Sequence, residues 1–507
     1  MSHRITVVVL AIVVASSGLL ADAQITNVTN DTITPIEGVG HDYIKLFAET
    51  VNPANGGLNL RINLPVAKSR GLTVPFSITY DSNNVHHLNQ GIYNNWGTVG
   101  WYANSSLLGQ GGWAFSFPYA HLSSWTENVT TLTRIGSDGP IYAVYTCGNV
   151  SNYVMQDLSG TTHSLGIRAR QGMNDPSNYC GAYIISPGSD NKVKGFLGPY
   201  GGVLLPSLTV NDDVGTVYKF STFKRDNSLD SNSYAALPDS IEDRNGNIAR
   251  LAINASNAVT VTDSSGRTSI STSGFGPSGS TNTVTVSGET FQVTWRTVSA
   301  NFSTTTVWAG NPGDPSNFDN CSPPPSASDT QTVISQITLP NGKFYKFYYG
   351  NDVTPHAATN PYGLVSEIDY PSGAWVLYSW KLSDTLNELA DYPGVVYDNC
   401  NVCSACDGGP SGCPKAVPDG CRYQYKTPVV ASRQVSFGGG SPSLTQTFSY
   451  STNWGSGSLP LAGWVSKSTW VTTLDNTTGK SATTTYTYKP ITVPPPPRLL
   501  AGPSIPR

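Results

Sequence analysis

The chain has 507 residues, of which 12% are charged and 38% hydrophobic, with a formal net charge of −4. Charge at about half the usual ~25% share, with no block of Lys or Arg, argues against a nucleic-acid partner, which would need clustered cations. Fifty Gly, 35 Pro and 26 Tyr, with almost no apolar spacing of helical period, predict an all-β, hairpin-rich chain, a sandwich or β-shell.

In chain order, Arg4 supplies a positive charge, Ile5 to Leu20 is an apolar run and Ala21-Asp22-Ala23 is a small-x-small cleavage signal. Residues 1–23 therefore read as a secretory signal peptide, with a mature start at Gln24. No later segment has the length of a membrane span. The mature chain is expected to be secreted, extracellular or at the cell surface, with no transmembrane span. Residues 24–45 form a polar, flexible lead-in. Residues 46–235 are an N-terminal β domain, with alternation over Leu58–Leu64 and Leu72–Tyr80 and a middle containing Trp96, Trp101, Trp113 and Trp125.

Residues 236–394 carry a phrase stated four times. A β-branched residue leads, after three more residues, to Asn-Gly or Ser-Gly: Ile241 to Asn245-Gly246, Val261 to Ser265-Gly266, Ile337 to Asn341-Gly342 and Ile368 to Ser372-Gly373. Asn-Gly and Ser-Gly are turn dipeptides, and a strand-like run follows each, so the unit is a hairpin. Leu382 to Ala390 reads as a short helix with Ser383 as its cap. Residues 395–425 are a Cys-rich insert holding Cys400, Cys403, Cys406, Cys413 and Cys421, while Cys147, Cys180 and Cys321 are dispersed. Eight cysteines in an exported chain favour disulfides over metal ligation, with connectivity open. Residues 426–490 return to strands, and 491–507 form a Pro-rich tail.

The phrases Asp243-Arg244-Asn245-Gly246-Asn247 and Asp263-Ser264-Ser265-Gly266-Arg267 resemble the Asp-x-x-Gly-Arg turns of the Rhs/YD-repeat family. Tyr362 to Gly373 looks like a further unit. The runs Val51 to Pro65 and Leu72 to Ser82, with Gly112-Trp113-Ala114-Phe115, are similar to the region preceding the repeats in large exported members. The resemblance covers residues 46–130 and 236–380 best. The full Tyr-Asp-x-x-Gly-Arg phrase is missing, and the repeats are few and unevenly spaced. The resemblance implies a β-sheet shell, spiral or hollow, that encloses a passenger or displays a binding surface.

Chemistry-bearing residues are sparse. Asp243-x-Asn245-x-Asn247 and Asp212-Asp213 have a weak calcium-like rhythm, without the Glu that would complete it. No catalytic or metal-binding residue and no cofactor is assigned. His86-His87 reads as an exposed loop pair beside Asn83-Asn84, His41, His121, His163 and His356 are scattered, and Glu242/Asp243 and Glu367/Asp369 read as solvated strand ends beside turns. The expected function is a non-enzymatic exported scaffold binding a glycan or a neighbouring surface through aromatics, with Trp96, Trp101, Trp113, Trp125, Tyr345 and Tyr348 as candidates. The alternatives are an extracellular polysaccharide-active enzyme or the front of a toxin-delivery shell.

Overall fold

The computed structural model describes residues 47–490, apart from 68–71, 91–98, 104, 137–138, 168, 173–191, 199–204, 227–232, 303–305, 309–326, 351, 353–354, 357–358, 385–387, 399–412, 439 and 455–463. Seventeen antiparallel strands form one sheet, from Val193–Leu197 to Ser481–Tyr488, with neighbours following chain order. The chain leaves this ladder three times. It first adds Lys224–Arg225 and Ser233–Ala236 to a second sheet. It later pairs Thr306–Trp308, Glu388–Asp398 and Cys413–Tyr425 in a three-stranded sheet. No α-helix occurs among the described residues, and none is long and apolar enough to cross a membrane. The ladder runs across the composition boundaries at 235, 394 and 426.

The helix predicted over Leu382 to Ala390 does not form. Leu382 ends the strand Trp375–Leu382, and another strand begins at Glu388. Ser383 is buried, and its N–H donates to the Thr427 carbonyl at 2.9 Å. Nine residues are too few to repay helix nucleation against an available ladder.

The repeated phrase proves to be a turn geometry with more members than its wording revealed. Among the described residues, seven hairpins turn over five residues beginning at Asp157, Asp212, Asp243, Asn254, Asp263, Leu339 and Tyr370. In each, the first N–H donates to the fifth carbonyl and the fourth N–H returns to the first carbonyl. The fourth residue takes positive φ, as at Gly246 (79°), Gly266 (75°), Gly342 (79°) and Gly373 (86°), with Asn257 (57°) standing in once. This is the three-residue hairpin loop closed by a left-handed residue.

Two local devices hold that shape. In the first five turns the Oδ1 of the leading Asp or Asn accepts the N–H groups of the third and fifth residues. The distances are 2.8 and 2.9 Å for Asp243, and 2.8 and 3.1 Å for Asp263. In the last two, Leu339 and Tyr370 have no such side chain, and Pro340 or Pro371 follows instead, fixing φ at the turn's first corner. Asn247 Nδ2 and the Arg267 guanidinium complete the Asp243 and Asp263 clamps, and these bonds hold both carboxyls below their ordinary range. The carboxylates of Asp212 and Asp243, read above for a calcium rhythm, are engaged by their own turns.

Two smaller sheets cover one face of the ladder. The first, in the order Glu49–Val51, Leu58–Leu64, Phe76–Asp81, Trp113–Phe115, Gly109–Gln110, Ser105–Ser106, packs against the strands between 289 and 475. Trp113, 1% exposed, donates from Nε1 to Tyr349 Oη at 2.7 Å, and Tyr349 Oη donates to the Ile334 carbonyl. The Trp113 ring meets Phe347 edge-on at 4.7 Å. A Cβ at Gly111 would lie 2.2 Å from the Thr332 carbonyl, so only glycine permits this approach. The second sheet, built on the long hairpin Tyr119–Gly136/Gly139–Gln156, covers the early strands, with the Leu158 N–H meeting Tyr218 Oη. The covered face is therefore a continuous apolar core in which each fully buried aromatic contributes about 1.5–3 kcal/mol.

Candidate functional site on the outer face

Successive side chains of the strands Phe344–Tyr349, Val365–Asp369 and Trp375–Leu382 point to opposite faces of the sheet. Phe347, Ile368 and Val376 enter the core. Lys346, Tyr348, Glu367, Asp369 and Trp375 lie on the opposite face. Tyr348 is opposite Glu367, Lys346 opposite Asp369, and Asp369 opposite Trp375.

The described residues of the connection between 350 and 364 reach this face at His356. Asn360 organises the connection, accepting the N–H groups of Tyr362 and Leu364 and donating to the Leu364 carbonyl and Ser366 Oγ. Arg296 pairs with Asp352 near its start. The connection delivers His356, whose Nδ1 lies 2.7 Å from Glu367 Oε1 and whose ring stacks on Trp375 at 3.9 Å and 22°.

Glu367 is thereby sealed: its side chain is wholly buried, and Oε2 has no hydrogen-bond partner. Asp369 follows two residues on along the same strand and face, and Tyr348 Oη donates to Asp369 Oδ2 at 3.2 Å. Burial pushes the Glu367 carboxyl up. The His356 bond opposes that rise and the Asp369 carboxylate adds to it, leaving the group above its ordinary value. A nearby carboxylate and burial both disfavour the charged form, so Glu367 favours its protonated form. Glycoside hydrolysis needs two carboxyls that face a sugar across an open cleft, and the Glu367 side chain is sealed from solvent. The reading of Glu367 as a solvated strand end is corrected: His356 and Trp375 exclude water from it.

The sequence-predicted aromatics separate. Trp113 and Trp101 are core residues, not surface contacts: Trp113 fills the inter-sheet core, and Trp101, 7% exposed, meets Tyr425 edge-on at 5.2 Å. Tyr345 points inward and meets Tyr370 at 5.5 Å. Tyr348 alone of the six is on the outer face with a described, partly exposed ring, with Lys346 Nζ 4.8 Å from its centroid. Trp96 lies outside the described residues, as does the side chain of Trp125 on Tyr119–Gly136. Cys147 is buried and disulfide-bonded. Cys180, Cys321, Cys400, Cys403 and Cys406 lie outside the described residues, as do the side chains of Cys413 and Cys421.

The inner face holds a cluster that sequence reading missed. Glu49 and Arg433, both with fully buried side chains, form an ion pair. Tyr370 Oη donates to Glu49, and Arg433 Nη1 donates to Gln446 Oε1 at 2.8 Å. Burial works against the Arg433 charge, but the Glu49 carboxylate outweighs it and holds the guanidinium above its ordinary value. No signal ties residues 384 positions apart, although the alternation of Pro428–Ser436 did mark Arg433 as inward-facing. Neither a family model nor a curated protein matches this chain.

Proposed function

We propose that this chain is an exported, non-enzymatic β-scaffold of the Rhs/YD-repeat kind that binds an extracellular glycan or a neighbouring cell surface through its outer face. The observation that carries this reading is the filled inner face. Strands from Glu49 to Phe115 occupy it from Phe275 to Thr469, so a partner there meets the outer face and the hairpin turns. The signal-like residues 1–23, the scarcity of charge and the disulfide at Cys147 support an oxidising, extracellular setting. The shared geometry of the seven turns supports the family resemblance. Expression with the native N-terminus should release protein beginning at Gln24, and the released protein should bind members of a glycan panel. Retention inside the cell with residues 1–23 intact, together with no binding, would overturn the reading.

The alternative, a polysaccharide-active enzyme, would have to use Glu367 and Asp369, although the Glu367 side chain is sealed from solvent. Turnover on the same panel that disappears in both Glu367→Gln and Asp369→Asn would select that reading.

A further inference from the structure

The last strands of the ladder carry an array that neither the core nor the acidic cluster uses. Register places Ser379, Ser432, Thr447, Thr472 and Thr483 in one row across five strands. Their shared face is confirmed at both ends: Ser379 Oγ and Ser432 Oγ lie 2.6 Å apart, and Thr472 Oγ1 and Thr483 Oγ1 lie 2.9 Å apart. The neighbouring row is Ser449, Trp470 and Thr485. Neither row contains a charged side chain. At a strand spacing of about 4.8 Å, the first row is roughly 19 Å long.

Trp470 stands out within this array. It is 39% exposed, while its strand neighbours Thr469 and Val471 are buried on the other face at 2% and 3%. Across the strands it meets Ser449 and Thr485, both exposed hydroxyls. A large aromatic in a neutral field of groups that donate and accept hydrogen bonds suits a partner with an apolar C–H face and a hydroxyl rim. We propose that these two rows are a docking track for a neutral, unbranched polysaccharide, with Trp470 as the stacking platform and the Ser/Thr row as its hydroxyl partners. The absence of charge on the rows selects against polyanions, whose capture would use cations. This inference rests on the scaffold reading above and gives it a location and a ligand class.

The test uses the full mature chain in pull-downs on amorphous cellulose and insoluble β-1,3-glucan, with polygalacturonate and heparin resins as anionic comparators. Retention on a neutral polymer is expected to persist in 1 M salt, since screening acts on charge pairs. Trp470→Ala and Thr447→Lys should each weaken it about tenfold. Trp470→Phe should recover most of the binding, and Thr283→Lys, on the same sheet but outside the rows, should leave it unchanged. Thermal melts and sedimentation accompany each variant. If the wild type binds and neither Trp470→Ala nor Thr447→Lys weakens it, the track is wrong while the scaffold reading stands. Retention on the anionic resins alone also overturns the track, as does a Trp470→Ala effect confined to self-association. Binding to no polymer at all removes both readings.

Discussion

Two buried carboxylates sit on opposite faces of the same strands, and they are treated differently. Glu49, on the inner face, meets a permanent cation, Arg433, and a tyrosine donor, Tyr370. Glu367, one residue column away on the outer face, meets a histidine and a second carboxylate. The first faces a guanidinium that keeps its charge. The second is matched only when a proton is present. The inner cluster thus joins the N-terminal strand to the ladder as a fixed structural link, and the outer one is a titratable group covered by His356 and Trp375.

The contrast breaks most sharply by removing one inner partner. Glu49→Ala leaves Arg433 buried without a counter-charge and should cost about 3–5 kcal/mol in urea unfolding. The double variant Glu49→Leu/Arg433→Met should recover most of that loss. A double variant no more stable than Glu49→Ala would mean that Arg433 is reached by water or by another anion. Trp113→Ala should cost a similar ~3–5 kcal/mol, since it empties the junction with Phe347 and Tyr349. Tyr348→Ala, on the outer face, should cost less than about 1 kcal/mol. Equal losses for the two would show that the outer face is packed as tightly as the inner one.

The outer cluster is distinguished by pH. Because the folded Glu367 carboxyl is raised, the folded chain holds its proton more firmly than the unfolded chain, and that stabilisation is complete in acid and fades as pH rises. Asp81, which burial pushes up to about 6 against its bond from Asn83, acts in the same direction. Asp157 is the opposite case. Burial would raise it, but His163, Ser159 and Thr161 outweigh burial and hold it low, so its contribution is lost as pH falls below the usual carboxylate range. The unfolding free energy should therefore be greater at pH 5 than at pH 7.5, with Asp81 alone contributing on the order of 1 kcal/mol. Glu367→Gln, which imitates the protonated acid, should shrink the difference. If the Glu367→Gln variant keeps the full pH slope, the titrating group lies elsewhere.

Much of this fold was legible from alternation and turn dipeptides, because both are local. Leu58–Leu64 and Thr281–Val286 show in sequence the period that their burial shows in space. What could not be read is set by the long-range stacking of sheets. Trp113 and Trp101 have the composition of a contact surface and become core only because the N-terminal strands fold onto the ladder. Glu367 looked solvated because its cover, His356, arrives on an irregular connection with no periodic signal. The four-fold phrase was legible, but three further turns, at Asp157, Asp212 and Asn254, were overlooked since they lack the Asn-Gly or Ser-Gly wording or lie before the repeat region.

Those turns offer the finest comparison, between the Asp-clamped hairpins and the proline-set ones. Nothing lies within 4 Å of a Cβ built at Gly266 or Gly342, so substitution there meets only the backbone's resistance to positive φ. Gly266→Ala and Gly342→Ala should each cost about 1 kcal/mol, and Gly266→Asn less, since Asn257 occupies the equivalent place in the turn from Asn254. The leading residue separates the classes. Asp263→Ala removes a side chain that accepts two backbone N–H groups and the Arg267 guanidinium, and should loosen its hairpin measurably in hydrogen exchange at Arg267. Leu339→Ala removes no such bond, because Pro340 sets that turn, so exchange at Lys343 should stay as it is. Equal protection loss at both hairpins would show that the carboxylate clamp adds nothing to the turn beyond what its glycine already supplies.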